Sequence, residues 1–447
     1  MLDRTRIHSD NVDADNVDSH IIDSESIHSE NKAREYDLDR DFSHAAERLR
    51  RMGRDAEQIV AAVQAFEVAV PSWALGTGGT RFGRFPGRGE PRDVHEKMAD
   101  IAVIHQLTGA TPRVSLHIPW DEPADPQALM DHAAALGLGF DAMNSNTFQD
   151  QPGQSHSYKF GSFSHTDAAV RCQAVEHHLH VMELGETLGS EAITIWLADG
   201  SSFPGQMHLR SSFERVLDCL RQVYDALPDG WRMYTEHKPY EPAFYATVVQ
   251  DWGSSLMLAQ ALGPRAMCLV DLGHHNPNTN VELIVARLIT AGKMGGFHFN
   301  DSKYGDDDLT TGSIKPYQLF LVFNELVDAA AEQVEGFSPD YMIDQSHNLK
   351  DPIEALLQTV EELQRAYAKA LLVDREALAD YQNGNDVLMA ERTLKQAYEF
   401  DVAPLIAEAR RRGGAAVDPV ATFRAAGYRN RVAAERAGSI YVPPQSL

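Results

Sequence analysis

The stretch Ala266-Met-Cys-Leu-Val-Asp-Leu-Gly-His274 joins a short apolar run to chemically capable side chains at its end. Three further stretches have the same design, and they are residues 231–238, 295–301 and 341–346. A carboxylate or histidine at the end of an apolar strand is costly to bury unless it is paired. A divalent cation offsets that cost for several such groups at once. Polar residues at the ends of consecutive strands are typical of one architecture, a barrel whose site lies at the C-terminal ends of its strands.

Eight candidate strands alternate with helical patterns along the chain. The four that precede the stretches above are residues 66–70, 114–118, 139–144 and 192–199. Helical spacing of apolar residues predicts helices over residues 168–188, 213–227, 243–262, 281–291 and 317–331. Alternating strands and helices pair in parallel through right-handed crossovers, and eight such units close into a barrel. We therefore predict an α/β protein, a (β/α)₈ TIM barrel with an N-terminal extension and a C-terminal helical tail.

Composition divides the chain into three parts. Residues 1–40 contain few large apolar side chains, so we expect them to be disordered or loosely ordered. The alternative is an arm that orders on a partner subunit. We place the catalytic barrel at residues 41–350, beginning with a helix over 41–65. Residues 351–447 have helical patterns, and we expect this region to take part in subunit contacts.

Charge and cysteine content narrow the classes of partner. The 447 residues carry a formal net charge of −25, which argues against nucleic acid and against an anionic membrane surface. The three cysteines have no CxxC spacing, so a disulfide framework or a thiolate zinc site is disfavoured. No apolar run approaches the roughly 20 residues that span a bilayer, and the N-terminus lacks a signal-peptide pattern. We expect a cytoplasmic protein.

Side-chain alternation brings candidate metal ligands to one end of the predicted barrel. Glu236 and Lys238 lie two positions apart on a strand and therefore share a face. Asp344 and Ser346 share a face for the same reason. Carboxylate oxygens and imidazole nitrogens together suit magnesium, manganese, cobalt or zinc. The pattern predicts a pair of divalent cations at the mouth of the barrel.

Each candidate ligand also has a structural alternative. The acidic loop 306–308, taken alone, is more often solvated, and His298 alone is more often a hydrogen-bonded core residue. Asp271 could cap a helix, and Lys238 could simply form an ion pair with Glu236. Four consecutive strands that end in Glu, Asp, His and Asp are hard to explain by packing. The combination therefore favours the metal site.

Other polar and aromatic residues near strand ends suggest a sugar pocket. His117 is a candidate general base at neutral pH, with Asp121 placed to orient it, although a hydrogen-bonded structural histidine is the alternative. Trp196 and Phe148 lie near strand ends, where sugar faces stack on such rings, although core packing is nearly as common. The glycine-rich segment 76–89 resembles a dinucleotide fingerprint only superficially, because no helix opens inside it. It is more typical of an active-site lid or an arm that reaches another subunit.

Long motifs in the chain resemble bacterial L-rhamnose isomerase, in its manganese-dependent branch with broad aldose specificity. The matching stretches are residues 115–121, 138–148, 203–206, 235–238, 268–275, 296–309 and 342–348. The resemblance extends from about residue 65 to near the C-terminus. It implies an aldose–ketose isomerase that interconverts L-rhamnose and L-rhamnulose by a two-metal hydride shift, with activity on other aldoses.

The resemblance also implies a role for each candidate residue. The implied ligands of the first metal are Glu236, Asp271, His298 and Asp344, and Asp344 also counts as catalytic. The implied ligands of the second, catalytic metal are His274, Asp306 and Asp308, with Asp271 as a bridge. Lys238 would be the cation near O1, and His117 the base that opens the sugar ring. The implied substrate contacts are Trp196, Phe148, Ser346 and Phe82, the last from a neighbouring subunit of a homotetramer.

Two other classes of function stay open as alternatives. One is another metal-dependent barrel enzyme, such as a sugar epimerase or a phosphodiester-cleaving enzyme. An epimerase of this general type manages with one metal, so the extra His274, Asp306 and Asp308 count against it. The other is a sugar-binding barrel with a structural metal. The sequence leaves open which aldose is physiological among rhamnose, mannose, lyxose and allose types, and whether Mn²⁺, Co²⁺, Mg²⁺ or Zn²⁺ is native.

Overall fold

A computed structural model describes residues 21–76, 87–346 and 349–436. In this part of the chain, eight parallel strands close into a barrel. In chain order they are Val70–Pro71, Arg113–Ser115 continued by His117–Ile118, Gly139–Phe140 continued by Met143–Ser145, Ala192–Trp196, Arg232–Glu236, Ala266–Asp271, Met294–Phe299 and Asp340–Ile343. Each strand pairs in parallel with the next. The eighth strand returns to the first at Ala69, whose N–H donates to the carbonyl of Tyr341 at 2.8 Å. The predicted (β/α)₈ barrel is confirmed.

The helices surround this barrel and extend it at both ends of the chain. They are α1 (Ser24–Ala33), α2 (Glu35–Arg51), α3 (Ala56–Gln64), α4 (Val94–Thr108), α5 (Pro126–Ala135), α6 (Ala168–Leu188), α7 (Leu209–Asp225), α8 (Trp252–Leu262), α9 (Val281–Thr290), α10 (Pro316–Ala331), α11 (Pro352–Leu371), α12 (Arg375–Asn383), α13 (Val387–Tyr398), α14 (Ala403–Arg412), α15 (Pro419–Ala425) and α16 (Tyr428–Glu435). Within the described ranges, none of them is long and apolar enough to cross a bilayer.

The core lies between the strands and the helices. Phe297 and Phe299, on the outer face of the seventh strand, are fully buried, and their rings stack with centroids 5.2 Å apart. Phe299 also stacks on Phe323 of α10 at 5.4 Å. Because side chains alternate along a strand, this outward packing turns His298 toward the barrel interior. The apolar contacts outside the barrel therefore help to position a polar residue inside it.

Local sequence signals explain where the helices depart from the predicted ranges. The helix predicted over 41–65 is interrupted after Arg51, and α3 begins after Asp55, whose side chain accepts a hydrogen bond from the N–H of Glu57. The helix predicted over 243–262 begins only at Trp252, after Asp251, whose side chain accepts from the N–H of Ser254. Aspartate is a strong N-cap residue, and in both cases its capping bond sets the helix start.

The structure differs from the prediction for residues 21–40. Helix α1 and the start of α2 lie in this segment, and Ile22 and Ile27 are buried. Asn31 donates a hydrogen bond to the carbonyl of Ala415 at 2.8 Å, so the segment orders on the C-terminal region. This partner lies 384 positions away in sequence, so composition alone could not reveal it. Residues 1–20 lie outside the described residues.

The C-terminal region packs against the barrel. Leu356, Leu357 and Leu363 of α11 are fully buried. Arg436 forms an ion pair with the buried Asp100 of α4 at 2.8 Å. The helical character predicted for this region is present in its described residues. Its predicted role in subunit contacts stays a prediction.

Candidate metal centre and sugar pocket

Four strand ends converge on one cluster of ligand groups. Strands five to eight each contribute one residue at or next to their C-terminal ends, and these residues are Glu236, Asp271, His298 and Asp344. One ligand atom of each residue lies within 4.8 Å of the others. The Nδ1 of His298 is 3.1 Å from the Oε1 of Glu236 and 3.3 Å from the Oδ2 of Asp344. The parallel register places Asp271 directly beside His298. The barrel therefore brings together all four residues of the first predicted ligand group.

A second group shares one residue with the first. Ligand atoms of Asp271, His274 and Asp306 also lie within 4.8 Å of one another. The Nε2 of His274 is 3.3 Å from the Oδ2 of Asp306, and its Nδ1 is 3.1 Å from the Oε1 of Glu236. All three members are buried. Because Asp271 belongs to both groups, it lies where a bridging ligand would be needed.

Asp308 lies beside this second group without joining it. Its Oδ2 accepts a hydrogen bond from the hydroxyl of Ser346 at 2.6 Å. Its backbone has a φ of 46°, in the left-handed region that residues other than glycine rarely adopt. Ser346, predicted to contact the sugar, is thus engaged with Asp308. The ligand role of Asp308 and the sugar contact of Ser346 stay predictions.

The carboxylate of Asp271 tests whether the cluster suits a cation. Its Oδ1 accepts hydrogen bonds from the N–H of Gly273 at 2.7 Å and from the side chain of Asn300 at 2.9 Å. Its Oδ2 is buried and has no hydrogen-bond partner in the described part of the chain. A buried carboxylate oxygen that lacks a donor is costly unless a cation is near. The oriented oxygen and the surrounding oxygen and imidazole donors fit a pair of divalent metal ions.

The electrostatics of the cluster show an excess of negative charge. Burial and the neighbouring carboxylates raise the pKa of Asp271 to about 7, although His274 opposes them. Burial alone would lower the pKa of His298, but Glu236 and Asp344 outweigh it and raise that pKa to about 10. The pKa of His274 is also raised, because Asp271 and Asp306 overcome its burial. The carboxylates thus favour the protonated form of both histidines, and a metal can bind an imidazole nitrogen only when its proton leaves.

Lys238 lies at the edge of the second group. Its Nζ is 2.7 Å from the Oδ2 of Asp306 and 3.4 Å from the Oε2 of Glu241. Lys238 is thus an ion-pair partner of carboxylates, as the structural alternative from the sequence proposed, and Asp306 and Glu241 are two of its partners. Lys238 also lies over the ring of Trp196, 4.9 Å from its centroid. A buried ammonium therefore faces both the ligand cluster and an aromatic wall.

His117 is enclosed by aromatic rings. It stacks on Trp120 with centroids 4.2 Å apart, and it meets Trp73 edge-on at 5.3 Å and Phe148 at 5.7 Å. Burial lowers its pKa to about 4, so the ring is neutral at pH 7. Its Nδ1 is buried and has no partner within the described ranges.

The prediction that Asp121 orients the His117 ring is not what the structure shows. The Oδ2 of Asp121 accepts from the backbone N–H of His117 at 3.0 Å and from the hydroxyl of Ser72. Its Oδ1 pairs with Lys97 at 2.6 Å. Asp121 therefore holds the strand end, and the aromatic rings orient the imidazole.

The remaining predicted contacts form a continuous wall. Phe148 and Trp196 pack with centroids 4.7 Å apart, which connects the surroundings of His117 to those of Lys238. Phe82 lies outside the described residues.

Three supporting residues were not singled out from the sequence. Trp73 donates its Nε1–H to the Oδ1 of Asp344 at 2.8 Å. Asn300 donates to Asp271, and the hydroxyl of Tyr240 accepts from the backbone N–H of Asp306 at 2.6 Å. Only Asn300 had a sequence signal, because it shares a strand face with His298.

Similar proteins agree with a sugar-converting site. The chain is 62% identical over 406 residues to the "probable sugar isomerase" of Rhizobium meliloti (strain 1021), with 91% of this chain and 94% of that protein covered. It is 63% identical, with the same coverage, to the "probable sugar isomerase" of Mesorhizobium japonicum. The chain belongs to this sugar isomerase family. No protein-family model matches it.

Other similar proteins align with a smaller part of this chain and have a lower sequence identity to it. A xylose isomerase from Thermus thermophilus is 29% identical over 243 residues, which cover 49% of this chain and 60% of that protein. Among solved structures, an L-ribulose 3-epimerase covers 69% of this chain and 98% of its own at 16% identity, with a TM-score of 0.49. The assignment to the family rests on the two rhizobial relatives.

Proposed function

We propose that this sugar isomerase interconverts L-rhamnose and L-rhamnulose and accepts other aldoses, with two divalent cations per subunit. The observation that carries the proposal is the pair of ligand groups joined at Asp271, which lies beside Lys238 and within one aromatic-walled mouth. The resemblance of the motifs to L-rhamnose isomerase supports the choice of sugar. We further expect Mn²⁺ as the native metal, a homotetramer to which Phe82 contributes, and a cytoplasmic location.

Divalent cations in the two groups would act as Lewis acids that polarise sugar oxygens. The chain itself supplies the remaining charge. Lys238, anchored by Asp306 and Glu241, presents an ammonium that stabilises negative charge on O1. Its position is fixed before the sugar arrives, so little reorganisation is needed during the reaction.

His117 would assist ring opening. In this step the proton of the O1 hydroxyl leaves and the ring oxygen gains a proton, which yields the open-chain aldehyde. A neutral imidazole can accept a proton at one nitrogen and donate from the other. The low pKa of His117 keeps it in this neutral form at pH 7. Burial among aromatic rings limits its exchange with water.

Isomerisation then moves one hydrogen along the sugar. The C2 hydrogen transfers with its electron pair to C1, O2 loses its proton as C2 becomes the carbonyl, and O1 gains a proton. Lys238 stabilises O1 while it is negative. The ring of Trp196, which lies beside Lys238, helps to exclude water from C1 and C2, and Phe148 packs on that ring from the side of a neighbouring cavity.

The first test is ketose formation from L-rhamnose by metal-stripped protein, before and after Mn²⁺ is added. We expect activity only with the metal, together with a rise in thermal stability. A ligand at 100 times its dissociation constant stabilises a folded protein by about 2.7 kcal/mol. Activity that is equal with and without a chelator would contradict the metal requirement. If Mn²⁺ stabilises the protein but no ketose forms from L-rhamnose, the substrate would be another aldose.

A pair of neighbouring variants tests the second ligand group. Asp306→Asn removes a predicted ligand charge, and we expect turnover to fall by at least about 100-fold. Asp307→Asn is the matched control, because Asp307 accepts hydrogen bonds from the N–H groups of Lys303 and Tyr304 and lies outside both groups. Equal activity of the two variants would remove Asp306 from the site.

A further inference from the structure

A second space lies next to the candidate sugar pocket. It is a cavity of about 1060 Å³, here called the outer chamber, and its lining includes Trp120, Phe148, Gln149, Gln151, Ser202 and Gln206. Two of these residues also form part of the wall of the sugar pocket, since Trp120 stacks on His117 and Phe148 packs on Trp196. Cavities of about 300–1,000 Å³ hold drug-sized ligands. A single aldose is smaller than such a ligand, so it would leave the outer chamber open.

The order of residues across the site sets the direction of a bound sugar. Lys238 lies over Trp196, Trp196 packs on Phe148, and Phe148 lines the outer chamber. The reacting C1 and C2 of an aldose belong next to Lys238 and the ligand groups. The non-reducing end of the same sugar therefore points toward Phe148 and the outer chamber.

The lining of the outer chamber suits a second sugar ring. Gln149, Gln151, Ser202 and Gln206 offer neutral amide and hydroxyl groups, which can both donate to and accept from sugar hydroxyls. The Nε2 of Gln151 is buried and has no hydrogen-bond partner among the residues that the structure describes. Aromatic rings such as Trp120 provide faces on which a sugar can stack.

The wall of the outer chamber is held in place by buried hydrogen bonds. The carboxylate of Asp199 is buried and accepts from the N–H and hydroxyl of Ser162, each at 2.8 Å, and from the N–H of Ser164 at 2.7 Å. The Oδ1 of Asp150 accepts from the N–H of Tyr158 at 2.7 Å. The carboxylates of Asp150 and Asp199 therefore hold the loop in place through these bonds. A wall that is formed before the ligand arrives lowers the entropic cost of binding.

From this arrangement we propose that the enzyme also isomerises aldoses extended at the non-reducing end, namely reducing disaccharides whose second ring occupies the outer chamber. The proposal rests on the proposed function, because it uses the same reaction at the reducing end. The hydrogen on C2 moves to C1 as before, the ring opens at the reducing sugar only, and the glycosidic bond is untouched. No further co-reactant is needed.

Exposed aromatic residues at the rim of the outer chamber suggest an alternative occupant, which is a second copy of the chain. Phe160, Phe203 and Phe244 are largely exposed, and each adjoins a lining residue in sequence. Exposed aromatic rings serve sugar binding, but they also serve contact with a second copy of the chain. The polar lining and its continuity with the pocket favour the sugar.

The test compares one monosaccharide with disaccharides on the Mn²⁺-loaded, full-length enzyme. Ketose formation is measured with L-rhamnose and with the 4-O-linked reducing disaccharides maltose, cellobiose and lactose. We expect turnover of at least one disaccharide. Ser202→Trp should fill the chamber and lower kcat/KM for that disaccharide by at least 10-fold, with kcat/KM for L-rhamnose within twofold of the parent. Ser202→Ala is the matched control, because it removes the hydroxyl without filling the chamber. It should leave kcat/KM for L-rhamnose unchanged and should lower kcat/KM for the disaccharide less than Ser202→Trp does.

Gln206→Trp provides a second filling variant at an exposed position, in case Ser202→Trp does not fold. Turnover of L-rhamnose with none of the disaccharides overturns the proposal and leaves the proposed function intact. The proposal is also overturned if the tryptophan variants reduce both substrates equally, or if they change only the oligomeric mass. Absence of turnover with every sugar, including other aldoses, removes the proposed function and this proposal together.

Discussion

The two ends of the barrel treat carboxylates in opposite ways, although the same strands supply both. At the N-terminal end, Asp340 forms an ion pair with Arg232 at 2.9 Å and accepts a hydrogen bond from the hydroxyl of Tyr234. At the C-terminal end, the same two strands place Glu236 and Asp344 beside one imidazole. Asp340 is paired by the chain itself, whereas the carboxylates at the mouth outnumber the cationic groups beside them.

This difference separates a structural from a functional use of carboxylates. A guanidinium and a phenol satisfy Asp340 permanently, so that end contributes to stability and needs no ligand. The mouth holds Asp271 with one buried oxygen that has no hydrogen-bond donor in the described part of the chain, and the Nδ1 of His298 lies 3.7 Å from that oxygen. Negative charge that the chain leaves unbalanced at the mouth can bind cations. Bound cations can then act on a substrate.

The largest expected effect comes from Asp271→Asn. We expect turnover to fall by about 10²–10³-fold or more, because a charge at the shared ligand position is lost. Stability of the chelated protein should be equal or higher, since the asparagine oxygen still accepts from Gly273 and Asn300 and a buried charge is removed. Urea unfolding in chelator and a ketose assay measure the two quantities. Lower stability with full turnover would place Asp271 in the same structural class as Asp340.

A smaller effect is expected on the free energy of unfolding when the pH is lowered. Burial lowers the pKa of His117 from its usual 6.5 to about 4. Between these values the unfolded chain binds the proton and the folded chain does not, so the free energy of unfolding falls as pH falls from 6.5 toward 4. At about 1.4 kcal/mol for each pKa unit, this residue contributes a loss of about 3 kcal/mol.

His117→Phe isolates this contribution, because it keeps a ring against Trp120 and removes the titrating group. Urea unfolding of chelated protein at several pH values should show a weaker dependence on pH for the variant than for the parent. His177 and His178, whose pKa values are also lowered by burial, remain in both proteins. Parallel pH curves would show that His117 is protonated equally easily in the folded and unfolded states.

The smallest effect is expected at the opposite end of the barrel. Asp340→Asn weakens the contacts to Arg232 and Tyr234, and we expect about 1 kcal/mol of destabilisation, because the side chains of Arg232 and Asp340 are 30% and 34% exposed. Turnover should stay at the parent level, because no member of either ligand group is near. Urea unfolding and the ketose assay again measure both. A large loss of turnover without loss of stability would erase the distinction between the two ends.

Sequence patterns predicted the parts of the site that depend on strands. Glu236, Asp271, His298 and Asp344 each follow an apolar run, and strand alternation with a parallel barrel brings such residues together. Helix α6 was also predicted with the bounds that the structure shows. These features follow from local periodicity, which any single segment carries by itself.

Sequence patterns failed where a partner comes from a distant segment. The prediction that Asp121 orients the His117 ring is wrong, because Asp121 binds Ser72 and Lys97 instead. Composition predicted loose order for residues 1–40, whereas the described residues 21–40 contain helix α1 and the start of α2. They pack on a region almost 400 positions away, through contacts such as that of Asn31 with Ala415. Composition describes what a segment can bury alone and not what the rest of the chain offers it.

The sequence by itself determined the barrel, the chemical types of the candidate ligands and the ends of the strands that carry them. Hydrophobic periodicity and side-chain alternation are properties of short segments, so they can be recognised without coordinates. Only the tertiary structure decided that Lys238 faces Asp306 and that His117 is held by aromatic rings. Those outcomes depend on distances between groups on different strands and loops, which are set when the barrel closes.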